Sequence, residues 1–206
     1  MAAEPATGRT GNARGRASRL RLLEAAARCF GDRGYQATRI ADITAAAGMS
    51  QGGFYRHFRD KDEILVEALR EPLDALLRTT AVDAAAPVDE AAIIAGNTSF
   101  FAVYAEHRRL FRVLREAAAL HEPGLTEIWL DVRSSYVDRI EAWLRRLEAA
   151  GELRTGDVRV LAEALGAVLD QMAYTRFGLA ERDPDDDEIA LLGRVSGELW
   201  FRALRG

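Results

Sequence analysis

A group of cationic and hydrogen-bonding side chains lies just after residue 50. Within two helical turns it supplies one phenol, one imidazole and three cations, on Tyr55, Arg56, His57, Arg59 and Lys61. Such groups are common donors to phosphate oxygens in protein–DNA complexes. Two glycines precede them directly, and each costs roughly 1 kcal/mol against alanine inside a helix. Gly52 and Gly53 therefore indicate close approach of the backbone to a partner.

Two short helices joined by a tight turn must position this group. Gly48 is predicted to end the first helix, because glycine adopts the left-handed conformation without steric penalty. Ser50 is a natural N-cap for a second helix that begins at Gln51. This is helix-turn-helix spacing, in which the second helix enters the DNA major groove and reads base edges. An ordinary helical hairpin shares the turn spacing, but the glycine pair and the cationic group count against it.

The stretch from residue 18 to residue 66 resembles the DNA-binding domain of the TetR family of transcriptional regulators. The resemblance runs from SRLRLLEAAARCFGDRGYQAT through DITAAAGMSQGGFYRHF to KDEIL. It implies base-edge contact for Gln51 and Gly53. It also implies phosphate contact for four residues, which are Thr38, Tyr55, His57 and Lys61.

Arg39 and Gly52 complete the predicted DNA-binding set. The sequence departs from the family pattern at Arg39, where a small hydroxyl residue is common, and at Thr44, where alanine is common. Gly53 lacks the side chain that many relatives carry. These departures concern the operator sequence rather than the fold.

The charge is distributed unevenly along the chain. The net charge is −4, yet residues 1–62 carry 11 Arg and Lys against 6 Asp and Glu, a net of +5. The remainder carries 17 against 26, a net of −9. Cations are therefore concentrated around the motif, as DNA binding requires, and the acidic remainder is expected to stay off the duplex.

Helical periodicity continues through the chain without convincing strand alternation, so the predicted class is all-α. We expect a disordered Arg-rich arm over 1–17, a helix-turn-helix domain over 18–66, and a ligand-binding and dimerisation domain over 67–206. A helix over 62–79 contains Pro72, which is predicted to kink it. After a break at 83–87, further helices are predicted over 89–104, 108–120, 124–150 and 157–177, and after Pro184.

The last two helices are the predicted dimer interface, because operator affinity normally comes from two helix-turn-helix copies one helical turn apart. Both carry apolar stripes, and the chosen interface residues are Leu165, Val168, Leu192 and Leu199. Small residues that would let helices approach closely accompany them, including Gly193 and Gly197. The resemblance implies the same interface. The alternative is that these stripes cover the subunit's own core.

Aromatic residues in the C-terminal part suggest a cavity with sparse polar anchors, as small-molecule sites are generally built. The predicted ligand-binding residues are Phe101, Tyr104, Phe111, Trp129, Tyr136, Gln171 and Met172. The resemblance implies such a pocket and implies that a small apolar or amphipathic effector releases the DNA. Each aromatic taken singly is more often plain core.

The sequence predicts a ligand-responsive, homodimeric repressor that binds double-stranded operator DNA. One alternative is a ligand-independent architectural DNA-binding protein; another is a small-molecule binding protein that has lost operator binding. No enzyme activity, cofactor or metal is expected, because the three histidines form no His-x-x-x-His pair and no nucleophile-elbow turn is recognised around a serine. Without an apolar run of membrane-spanning length or a signal-peptide core, the chain is expected to be cytoplasmic.

Overall fold

The computed structural model describes residues 8–79, 89–122, 124–153 and 156–205. These residues form eight α-helices and one π-helical turn and contain no strand, which confirms the all-α class. The helices are α1 (Gly8–Ala37), α2 (Ile40–Ala47), α3 (Gln51–Phe54), α4 (Lys61–Thr79), α5 (Glu90–Ala119), α6 (Leu125–Ala149), α7 (Val158–Ala173), which runs into the π-helical turn Tyr174–Gly178, and α8 (Asp186–Arg205).

The chain divides into two compact units after Arg70. The first unit contains α1, α2, α3 and the start of α4, and its core is formed by fully buried side chains of Leu22, Phe30, Ile43, Phe54, Ile64 and Leu65. Cys29 is buried among them, and burial raises the pKa of its thiol above the ordinary value. The thiol therefore acts as a small apolar group in this core.

Residues 8–17 are helical, whereas the sequence predicts a disordered arm over 1–17. Alanine and arginine are among the best helix formers, and extending an existing helix avoids the costly nucleation step. A segment without an apolar period can therefore continue a helix whose later turns are packed. Residues 1–7 of the predicted arm lie outside the described part of the chain.

In the second unit α5 packs mainly against α8, and α6 packs against α7. Its core is rich in aromatic and leucine side chains, among them Phe100, Phe101, Phe111, Leu144, Leu169 and Phe177. The helices predicted over 89–104 and 108–120 form the single helix α5, with a local distortion at His107 (φ −109°, ψ 15°). The helix α4 continues through Pro72, and the predicted break at 83–87 lies outside the described residues.

Candidate functional site

The turn between α2 and α3 has the conformation that the sequence predicts. Gly48 ends α2 with φ 63° and ψ 39°, and its backbone N–H donates to the Ala45 carbonyl over 3.1 Å. Ser50 is extended, and its Oγ accepts a hydrogen bond of 3.2 Å from the Gly53 N–H, so it caps α3. A left-handed glycine followed by a serine cap confirms the helix-turn-helix.

Residues 48–52 also spell Gly-x-Ser-x-Gly, the pattern of the hydrolase nucleophile elbow. That elbow joins a strand to a helix and exposes the serine as a nucleophile. Here the pattern joins two helices, and the Ser50 hydroxyl oxygen is occupied by the Gly53 N–H. The serine therefore has a capping role.

Two phenylalanines hold the segment after α3 in place. Phe54 and Phe58 are buried with their ring centroids 5.7 Å apart, because positions four residues apart lie on one side of a helical turn. The Arg19 guanidinium lies 5.1 Å from the Phe58 ring centroid and forms an ion pair of 2.8 Å with Glu67. With these rings facing inward, the side chains of Tyr55 and Arg56 are exposed.

The outer face of α3 and the following turn carries most of the predicted DNA-binding set. Gln51 and Gly52 are exposed, and Tyr55 retains 57% of its accessible surface. A Cβ atom at Gly52 would meet no atom within 4 Å, so this part of the backbone is open to a partner. Polar side chains around an open backbone suit entry into a major groove.

Two members of this set are not on the outer face. Gly53 is buried, so it does not present its backbone to a base edge as predicted, and the side chain of Thr38 faces inward. Thr38 is only 1% exposed, and its hydroxyl lies 3.0 Å from the Cys29 carbonyl and 2.7 Å from the Gly34 carbonyl. The hydroxyl thus satisfies backbone acceptors at the end of α1 and is not presented to a phosphate. His57 is half-buried, with its ring centroid 6.5 Å from that of Phe58.

Lys61 is held at the edge of the site by Tyr35. Its Nζ donates to the Tyr35 carbonyl over 2.9 Å and lies 4.0 Å from the Tyr35 ring centroid. The Tyr35 hydroxyl in turn donates to the Asp62 carboxylate. An ammonium group has three donors, so Lys61 keeps hydrogens for a phosphate after this contact.

Arg39 begins α2, and its backbone N–H donates to Asp42 Oδ2 over 3.0 Å. This hydrogen bond, together with the Arg33 guanidinium 2.7 Å from Asp42 Oδ1, holds the pKa of the Asp42 carboxyl below its usual range. Asp42 therefore stays ionised and fixes the start of α2, while the Arg39 side chain is exposed.

A small cavity in the second unit lies between α5, α6 and α7. It encloses about 40 Å³ and is lined mainly by apolar groups, from Leu76, Phe100, Trp129, Val132, Arg133, Tyr136, Val137, Gly166, Ala167 and Asp170. Since one water needs at least ~10–15 Å³, this space holds roughly three or four water molecules. A larger ligand must displace side chains to enter.

Only two predicted ligand-binding residues, Trp129 and Tyr136, line this cavity. Phe101, Tyr104 and Phe111 belong to the aromatic core, where the Tyr104 and Phe111 centroids lie 5.1 Å apart. Met172 is half-buried, and Gln171 is exposed, with its Oε1 accepting from Arg115 over 2.9 Å. Val132 and Arg133, which also line the cavity from α6, lie three or four positions from Trp129 and from Tyr136, a spacing that could have identified them.

The polar end of the cavity is formed by Asp170 and Arg133, and Asp170 pairs with Arg115 outside the lining. Arg115 Nη1 lies 3.2 Å from Asp170 Oδ2. Burial raises the pKa of the Asp170 carboxyl above its ordinary value, against the opposing effect of Arg115 and Arg133. Burial, reinforced by the Asp170 charge, also raises the pKa of the Tyr136 hydroxyl, which therefore remains a neutral donor.

The exposed apolar stripe of α8 differs from the predicted interface. It consists of Leu191, Val195 and Leu199, which are 42%, 49% and 48% exposed and lie four residues apart. Leu165 and Leu192 are already buried within the single subunit, whereas Val168 is half-buried. Of the predicted interface residues, Leu199 and part of Val168 are accessible to a second chain.

Gly193 and Gly197 pack against α5 of the same chain, although the sequence assigns them to a contact between chains. A Cβ atom on Gly193 would lie 2.7 Å from the Thr98 Cα, and one on Gly197 would lie 2.7 Å from the Ile94 Cα. The glycines are needed because the two helix backbones approach each other more closely than any side chain allows.

The fold and the exposed face of α3 define a helix-turn-helix regulator with a helical C-terminal unit. The sequence model described as "Bacterial regulatory proteins, tetR family" matches residues 22–68. The model described as "AefR-like transcriptional repressor, C-terminal domain" matches residues 94–192. Together they take in most of the chain, which belongs to the TetR family.

Similar proteins include both curated relatives and solved structures. The HTH-type transcriptional repressor KstR2 of Rhodococcus jostii is 31% identical over 138 residues, which is 64% of each chain. The TetR-family regulator PfmR of Thermus thermophilus is 25% identical, with a TM-score of 0.72 over 89% of this chain and 98% of that one. The SmeT–triclosan complex is 24% identical, with a TM-score of 0.69 over 91% of both chains. In addition, none of the helices within the described ranges is long and apolar enough to cross a membrane.

Proposed function

We propose that this protein is a transcriptional repressor that binds operator DNA as a homodimer and releases it when a small molecule enters the second unit. The exposed face of α3 carries the proposal. There Gln51, Gly52 and Tyr55 are accessible around a backbone that is open to a partner. The repressor names of the curated relatives support the direction of regulation.

The homodimer is supported by the exposed stripe of α8. Three large apolar side chains at a spacing of four form a continuous ridge that a second copy of the same helix can cover. Two copies are required for tight operator binding, because one helix-turn-helix reads only one half-site.

The proposed effector is an amphipathic molecule with an acidic or hydrogen-bond-accepting group. Its apolar body would enter the small cavity and lie between the side chains of Trp129, Phe100 and Tyr136. Asp170 already has Arg115 as its partner, whereas no hydrogen bond or close ion pair joins Arg133 to another group in the described residues. Arg133 is therefore the group available to an incoming anion, and the SmeT complex with triclosan supports ligand entry in this fold.

A matched pair of probes tests this proposal. Full-length protein would be titrated with decanoate and with decylamine while it is bound to a labelled duplex from the promoter upstream of its own gene. Decanoate should release the duplex at a lower concentration than decylamine, and Arg133→Ala should remove the difference. Release by decylamine alone would contradict the proposed polarity of the site.

A cavity-filling variant separates the ligand response from DNA binding. Ala167→Leu places a larger side chain in the cavity wall and should abolish release by decanoate while leaving duplex affinity intact. Ala142→Leu, on the exposed side of α6, is the control and should respond like the wild type.

The small volume of the cavity favours one second candidate, a DNA-binding protein that does not respond to ligands. If the protein has this second function, it should bind the promoter duplex, and neither decanoate nor decylamine should release it. Ala167→Leu should then behave like the wild type. Failure to bind any promoter duplex would instead contradict the repressor function itself.

A further inference from the structure

The missing side chain at residue 53 leaves space beside α3 that Arg56 partly fills. A Cβ atom built on the buried Gly53 would lie 3.2 Å from Met49 Cε, 3.5 Å from Ser50 Oγ and 3.6 Å from Arg56 Nη2, so the Arg56 guanidinium is one of three groups packed around this position. Residues three apart lie on the same side of a helical turn, so the arginine can fold back along α3. Its guanidinium group therefore lies against the helix instead of extending away from it.

Neighbouring arginines in this unit have acidic partners. Arg59 Nε lies 3.1 Å from Glu63, and Arg33 Nη1 lies 2.7 Å from Asp42. Within the described part of the chain, no hydrogen bond or ion pair joins the Arg56 guanidinium to another group. Arg56 is also exposed, so its five N–H donors are available to a partner.

We infer that Arg56 is a specificity-determining residue that reads a guanine. Arginine donates two parallel hydrogen bonds to guanine O6 and N7, the commonest specific contact in the major groove. A phosphate contact, which the sequence suggests for the whole group of Tyr55 to Lys61, would carry no base preference. The inference rests on the proposed operator binding and specifies one base that the protein would recognise.

Selection from a pool of random-sequence duplexes tests the role of Arg56. Wild type, Arg56→Ala, Arg56→Lys and Arg59→Ala would each be used as the full-length protein, with circular dichroism confirming the fold. The wild type should enrich a half-site with one position fixed as guanine. In Arg56→Ala the preference for guanine at that position should fall by roughly 5- to 150-fold, because one bidentate pair of hydrogen bonds supplies that much discrimination. The base preferences at the other positions should stay the same. Arg56→Lys should retain part of it.

The control and a second variant make the result decisive. Arg59→Ala removes the same charge from a residue paired with Glu63 and should keep the guanine preference. Gly53→Leu should weaken the preference at the same base pair, because its side chain would push aside the groups packed around Gly53, which are Met49 Cε, Ser50 Oγ and the Arg56 guanidinium. An equal loss of affinity of Arg56→Ala for every sequence, or no loss at all, would overturn the inference. Failure of the wild type to enrich any sequence would overturn operator binding and the inference with it.

Discussion

The substitution Gly193→Ala should destabilise the second unit, although alanine is the better helix former. The new Cβ would lie 2.0 Å from Thr98 Oγ1 and 2.7 Å from Thr98 Cα. Carbon–carbon contact is comfortable at about 3.5–4.0 Å, so α5 and α8 must separate by about 1 Å. Rotation of the Thr98 side chain cannot relieve the overlap, since the Cα belongs to the backbone.

The magnitude follows from three opposing contributions. Replacing glycine by alanine in a helix gains up to about 1 kcal/mol, while overpacking typically costs about 1–3 kcal/mol. Separation of the helices also strains the buried hydrogen bond of 3.1 Å from Asn97 Nδ2 to Ser196 Oγ. Leaving such buried groups unsatisfied costs about 1–3 kcal/mol. The net loss is about 1–5 kcal/mol, a large share of a typical total of ~5–15 kcal/mol.

Urea denaturation followed by circular dichroism, at one fixed protein concentration, would measure this loss. Gly96→Ala on α5 is the control, because its nearest atom outside the local helix is the Thr79 carbonyl oxygen at 4.0 Å. It should be neutral or stabilise by up to about 1 kcal/mol. Thr98→Ala added to Gly193→Ala should restore only part of the stability, since the Thr98 Cα remains. A Gly193→Ala variant as stable as the wild type would refute the close helix contact.

Substitutions at four other positions test the remaining assignments. Leu199→Glu should give monomers, detected by light scattering, that bind the promoter duplex far more weakly. Leu130→Glu replaces another exposed leucine and is the control, so it should leave the dimer unchanged. Lys61→Ala should weaken binding to all duplexes and reduce the slope of log affinity against log salt concentration by about 0.9. Gln51→Ala should instead alter the base preference at one position by about 1–3 kcal/mol. Equal losses of affinity on every sequence for both variants would contradict the assignment of Lys61 to a phosphate and Gln51 to a base. Because the pKa of Asp170 is raised in the folded state, its contribution to stability is largest below its unfolded pKa of about 3.9 and is lost as pH rises through the folded value. Unfolding free energies of the wild type relative to Asp170→Asn should therefore fall as pH rises from that value, and parallel pH profiles would contradict the burial of this carboxyl.

The amino-acid sequence by itself determined the helix-turn-helix, because its signals are local. The left-handed conformation of Gly48, the capping of α3 by Ser50 and the burial of Phe54 and Phe58 each depend on residues a few positions apart. The all-α class and most helix ends followed in the same way from periodicity and from glycine and proline signals.

Contacts between distant residues required the tertiary structure. Whether Gly193 faces α5 or a second chain depends on a helix about a hundred residues earlier, and an apolar stripe looks the same in both cases. Helical periodicity identified Trp129 and Tyr136 as inward-facing, but it did not distinguish a cavity wall from the solid core around Phe101.

The direction of individual polar side chains was decided in the same way. The family resemblance implies that Thr38 contacts a phosphate, yet its hydroxyl lies within hydrogen-bonding distance of the Gly34 and Cys29 carbonyls of α1 and donates to these backbone oxygens instead. The position of the Arg56 guanidinium was likewise decided by packing. It lies 3.6 Å from where a Cβ atom of Gly53 would be, so it can lie against α3 because residue 53 has no side chain. A polar group takes whichever partner the fold brings within hydrogen-bonding distance, and residue type alone does not specify that partner.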